Sequence, residues 1–120
     1  MLMNLQIVST KDSHVHIAVS GRVSQDGMSR DQEPIATLLG PEAYTLTVLL
    51  DLGGTEVIDS SGIGWLLTCH KRFAENGGRM VCYSAPPAVA NVFKLMRMDL
   101  VFDSAANAAE AEKLAGVNSQ

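Results

Sequence analysis

Val57-Ile58-Asp59-Ser60-Ser61-Gly62-Ile63-Gly64-Trp65 follows an apolar run, Leu46-Thr47-Val48-Leu49-Leu50. It leads into a stretch where Leu66, Leu67, His70, Phe73 and Ala74 recur at helical spacing until Asn76-Gly77-Gly78. The apolar run is nearly continuous and partly β-branched, as expected of a central strand covered on both faces and ending at Asp51. Asp59 and the serines after it are favoured helix N-cap residues, and the glycines after Asn76 are helix-terminating ones. A buried strand feeding a well-marked helix is half of a crossover unit, which makes the chain α/β.

Outward from that unit the pattern continues in both directions. Leu5 and Ile7 alternate with polar neighbours, Lys11-Asp12-Ser13 reads as a turn, and Val15, Ile17 and Val19 alternate with His14, His16 and Ala18, which predicts an antiparallel hairpin with one apolar face. Pro34 opens a short helix with Ile35, Leu38 and Leu39 on one side, and Gly40-Pro41 stops it. Downstream, Met80 to Tyr83 reads as a strand, and Pro86-Pro87 starts a helix with Val89, Val92, Phe93 and Met96 on one face. Leu100-Val101-Phe102 reads as a last strand, and Asp103-Ser104 as the cap of an Ala-rich helix to about Ala115. The predicted order is ββαβαβαβα: a mixed β-sheet with an N-terminal antiparallel hairpin and helices packed on it. Residues 1–116 form one domain and 117–120 a flexible, frayed tail.

Length and composition narrow the function classes. With 120 residues, 47% hydrophobic and 18% charged, the chain has the balance of one globular domain. Surface scaling lets around two-thirds of its unfolded area be buried, enough for one core with little left for a deep cofactor cleft. Nine Lys plus Arg against thirteen Asp plus Glu give a net charge of −4, with no basic patch, so nucleic acid is a poor partner. Residues 1–13 lack a signal-peptide pattern, and no apolar run approaches the ~18 residues of a membrane span. Cys69 and Cys82 form neither a disulfide framework nor a metal-type spacing, which suits a reducing cytoplasm and a pair of small buried hydrophobes.

The 57–65 stretch holds more than a cap requires. A cap needs one hydroxyl or carboxylate and this segment has three, while two glycines beside it weaken the helix by about 1 kcal/mol each. Glycines in that place indicate a close approach to the backbone. Trp65 falls roughly opposite Ile63 and Leu67 by helical phase. Two readings stay open for it: burial against a neighbouring helix, or an exposed contact patch shared with Ile63.

Asp59-Ser60-Ser61-Gly62-Ile63-Gly64, after a strand ending Leu49-Leu50-Asp51-Leu52, resembles the signature of the STAS domain family, especially its bacterial anti-sigma factor antagonists. Gly21-Arg22-Val23 is similar to that family's glycine at the end of the second strand, and Asn76-Gly77-Gly78-Arg79-Met80 to its helix-to-strand turn. Pro86-Pro87-Ala88-Val89 through Phe93, and Asp99 to Phe102, are similar to its third helix and last strand. The resemblance implies a STAS fold and a phosphorylation-controlled partner switch, with the protein as substrate and ligand rather than enzyme. Ser60, with Ser61 as second choice, would be phosphorylated by a partner that is both anti-sigma factor and serine kinase. A metal-dependent phosphatase of the PP2C type would restore the unphosphorylated, binding form. Ser24, Asp26, Asp59, Ser60, Ser61, Gly62, Ile63 and Trp65 would make the partner surface on a monomer or weak dimer, with no cofactor and no metal. Where the family commonly has an acidic residue after the strand-two glycine, this chain has Ser24, with Asp26 two residues on.

Other chemistries fit less well. Ile58-Asp59-Ser60-Ser61-Gly62 is not a G-x-S-x-G elbow, and His70 is some 15 Å along the helix from Ser60, too far for a general base. His14 and His16 share a strand face but lack third and fourth metal ligands, so a solvated polar face is expected. No Lys-Ser or Lys-Thr pair makes Gly53-Gly54 to Gly64 a P-loop. The competing readings are a STAS subunit of a lipid or anion transport system or of a signalling scaffold, and a ligand or nucleotide sensor using the helix N-terminus.

Overall fold

The computed structural model describes residues 3–11, 14–24 and 34–116. The expected hairpin turn at Asp12-Ser13 and the expected tail at 117–120 lie outside them. In chain order the elements are β1 (Asn4–Lys11), β2 (His14–Val23), α1 (Pro34–Leu39), a 3-10 turn (Ala43–Thr45), β3 (Thr47–Ile58), α2 (Ser60–Glu75), β4 (Arg79–Tyr83), α3 (Pro87–Leu95), a second 3-10 turn (Met98–Leu100), β5 (Asp103–Ala105) and α4 (Ala108–Leu114). The five strands lie side by side in the order β1-β2-β3-β4-β5. β1 and β2 pair antiparallel, and every later pairing is parallel. The α/β class, the mixed sheet and the N-terminal hairpin are as the sequence predicts.

The period-2 pattern of β2 sends Val15, Ile17 and Val19 to one face, where they join Val48, Leu50 and Leu52 of β3 and Met80 and Cys82 of β4. Ile35, Ile63, Leu66, Cys69, Phe73, Val89 and Phe93 from the helices close over this face to form the main core. Each fully buried Leu, Ile or Val there stabilises the fold by about 1.5–3 kcal/mol relative to exposure. The opposite face has a smaller cluster, Leu49, Val81 and Tyr83, covered by Ala111 of α4. This two-sided burial explains why residues 48–50 read as a continuous apolar run.

Three boundaries differ from the sequence reading. β3 continues past Asp51 to Ile58, because Gly53 and Gly54 stay in the strand. A Cβ on Gly54 would stand 3.1 Å from Ser20 Cβ, so the missing side chain keeps β2 close. Leu100-Val101-Phe102 is not a strand: only Phe102 is buried, against Phe93 at 5.3 Å, and Leu100 lies in the 3-10 turn, 78% exposed. The strand is the more polar Asp103–Ala105, an edge whose pairing with β4 uses backbone groups rather than apolar side chains. The cap of α4 moves accordingly. Asp103 is taken by Arg79 at 2.7 Å, and Asn107 caps the helix by accepting from Glu110 N at 2.9 Å.

Candidate functional site

The end of β2 lies against the start of α2. Val23 pairs with Ile58, and its carbonyl accepts from Asp59 N at 3.3 Å. Gly62, in the first turn of α2, meets the same carbonyl, and any Cβ there would overlap the Val23 oxygen. The close approach that the glycine signals is therefore made by the chain's own backbone. Arg22, Val23 and Ser24 are held beside residues 59–62 although 37 positions separate Arg22 from Asp59.

Asp59 is the N-cap of α2. One oxygen, Oδ1, accepts from Gly62 N at 2.9 Å and from Ser61 Oγ at 2.6 Å. Ser24 Oγ, in a buried residue, lies 3.1 Å from Ser61 Oγ. The other oxygen, Oδ2, faces Arg22 Nη2 at 3.4 Å. These groups favour the ionised carboxylate. The Ser61 hydroxyl, then the Gly62 amide, hold the Asp59 carboxyl down at about 2 against an opposing desolvation, with smaller help from Ser24 and Arg22.

The two serines are not equivalent. Ser60 is the first residue of α2 and exposed; Ser61 is half-buried, with its hydroxyl donated to Asp59. Ser24, Asp59, Ser60 and Ser61 come together as one cluster. Asp26 lies outside the described residues. Gly62, Ile63 and Trp65 correct the expected contact surface: all three are buried, with Ile63 and Trp65 each 2% exposed. The apolar stripe of α2 runs through Gly62, Leu66, Cys69 and Phe73, and Ile63 and Trp65 flank it on opposite sides. The buried arc is thus wider than one stripe, and an exposed Ile63–Trp65 patch does not form.

Arg22 is the site residue that sequence reasoning missed. It sits inside the quoted Gly21-Arg22-Val23, but only its register opposite Val57 brings it to Asp59. His16 does not lie on the solvated polar face that the sequence suggests. It is half-buried on the α4 side of the sheet, with Nδ1 3.1 Å from the Tyr83 hydroxyl and Nε2 3.4 Å from Glu112 Oε1. No group of three potential metal ligands occurs among the described residues, and none of their helices is long and apolar enough to cross a membrane.

A mixed five-stranded sheet, helices on both faces and a hydroxyl-bearing helix start held against the end of the second strand define a small α/β domain. The chain belongs to the STAS domain family: its sequence matches the family described as Mlab, STAS domain, over residues 7–103. No curated protein matches it. Among solved structures it is similar to an anti-sigma factor antagonist from Mycobacterium paratuberculosis, with a TM-score of 0.72 and 17% identity over 95% of this chain and 94% of that one. It is also similar to the anti-sigma factor antagonist SpoIIAA in its unphosphorylated form, with a TM-score of 0.65 and 20% identity over 98% and 100% of the two chains. The fold recurs in the murine anion transporter Slc26a9, with a TM-score of 0.67 and 15% identity over 97% of this chain but 22% of that one.

Proposed function

We propose that this protein is a phosphorylation-controlled anti-sigma factor antagonist acting in the cytoplasm. Unphosphorylated, it binds an anti-sigma factor with serine kinase activity; phosphorylated on Ser60, it releases that partner. In the modifying step Ser60 Oγ bonds to the γ-phosphorus of ATP as the bond to the ADP oxygen breaks. The hydroxyl proton passes to a base of the kinase, and ADP leaves. A metal-dependent phosphatase hydrolyses the ester to reset the switch. The chain itself is substrate and ligand, not catalyst.

The observation that carries this reading is the difference between the two hydroxyls: Ser60 is exposed at the first position of α2, while Ser61 is engaged by Asp59. Further support comes from the family match and from the similarity to SpoIIAA in its phosphorylated form, at a TM-score of 0.61. A phosphate on Ser60 adds about −1.5 to −2 charges beside Asp59 at a helix N-terminus, where the helix dipole favours an anion. The fold tolerates that charge. Across a docked surface the same charge must be desolvated next to a carboxylate, at a cost of a few kcal/mol, which weakens binding roughly a hundredfold or more. Ser24 replaces the family's usual acidic residue, and its hydroxyl takes part in the cluster beside Ser61.

The test is to incubate the protein with ATP and the kinase-like regulator encoded nearest to it, locate phosphate by mass spectrometry, and measure binding of Ser60→Asp. Phosphate on Ser60 and a loss of binding of about a hundredfold support the reading. Absence of phosphate, or Ser60→Asp binding as tightly as the parent, overturns it in favour of a transport or scaffold subunit.

A further inference from the structure

The two oxygens of Asp59 have different duties. Oδ1 is committed to the helix turn through Ser61 Oγ and Gly62 N. Oδ2 meets Arg22 Nη2 at a long 3.4 Å, with the arginine side chain 55% exposed. An exposed pair of that length is weak, so the cap survives if the guanidinium moves away. Arg22 itself has a fixed origin. Its neighbour Val23 is pinned by the Asp59 amide and by the close seat of Gly62, while its own guanidinium reaches into solvent beside residue 59.

We propose that Arg22 is the intramolecular counter-ion of the phosphoryl group on Ser60. On phosphorylation the guanidinium leaves Asp59 Oδ2 and pairs with the phosphoryl oxygens one residue along. Consecutive Cα atoms are about 3.8 Å apart, a shift within the swing of a half-exposed arginine. A near-dianion with three acceptor oxygens competes well against one carboxylate oxygen at 3.4 Å, and a planar guanidinium matches its geometry. The exchange leaves Asp59 bound to Ser61 and Gly62, so α2 keeps its cap. A partner that docks on this end therefore loses a cation and gains a dianion at the same spot. The inference rests on Ser60 as the modified residue, and it concerns the phosphorylated protein by itself.

The phosphoserine is introduced at position 60 during synthesis, without a kinase, and the phosphate is titrated by phosphorus NMR. Among the described residues, two charged groups lie beside it: Arg22 favours the dianion and Asp59 opposes it. The expected result is a second phosphate pKa about 0.5–1 unit higher in Arg22→Gln than in the parent, with Arg22→Lys in between. The Arg22 side-chain NH resonances of the parent should titrate with the same midpoint as the phosphate. Superimposable titrations of parent and Arg22→Gln, or Arg22 resonances indifferent to the phosphate, overturn the proposal. Because no kinase enters the experiment, failure of Ser60 as a natural substrate leaves this result unchanged, and the two failures are distinguishable.

Discussion

Asp59 shows how one side chain combines a structural and an electrostatic task. Its carboxyl is held at about 2, chiefly by the Ser61 hydroxyl, against an ordinary value of 3.8. A carboxylate whose pKa is lowered by folding adds stability above the ordinary carboxylate range, and that contribution is lost as pH falls toward 2. Ser61→Ala removes the largest cause. The Asp59 carboxyl carbon should then titrate closer to 3.8 by NMR, and acid unfolding should begin at higher pH than in the parent. Unchanged titration would mean that the Gly62 amide and the remaining neighbours set the value without Ser61. The cluster was partly legible in the sequence, because Asp and Ser at a helix start are local signals. The parts played by Arg22 and Ser24 were not, since these residues arrive from the end of β2 and the position after it.

Between elements, the junction of β2 with α2 is the tightest point near the site. Gly62→Ala drives a Cβ into the Val23 carbonyl, and backbone on both sides leaves little room to relax. The expected cost is about 2 kcal/mol, the range of an overpacked core position, read as a lower thermal midpoint with α2 still present by circular dichroism. A midpoint equal to the parent's would show that β2 and α2 separate easily. Helices with strong periodicity and breakers, α2 above all, were readable to within a residue or two. β5 was not, because an edge strand paired through its backbone needs no apolar alternation, and the nearby Leu100-Val101 run is left exposed in a turn. Trp65 was ambiguous for a related reason. Helical phase gives one direction, while α2 has buried neighbours on both flanks of its stripe.

For the whole molecule, the sheet separates a large core from a small one, and both thiols belong to the large one. Cys69 and Cys82 are buried, and burial pushes the Cys82 thiol up to about 12. Neither should react with a thiol reagent in the native protein at neutral pH, and both should react once it is unfolded in denaturant. Rapid labelling of the native form would reveal opening of the core between α2 and β4.

The strand order has a consequence for biosynthesis. Because β1 to β5 sit side by side in the order in which they are made, the sheet can grow at one edge as the chain leaves the ribosome. No strand has to insert between two that are already paired. The end of β2 that meets residues 59–62 is translated before them, so the contact closes as α2 is added to strands already made.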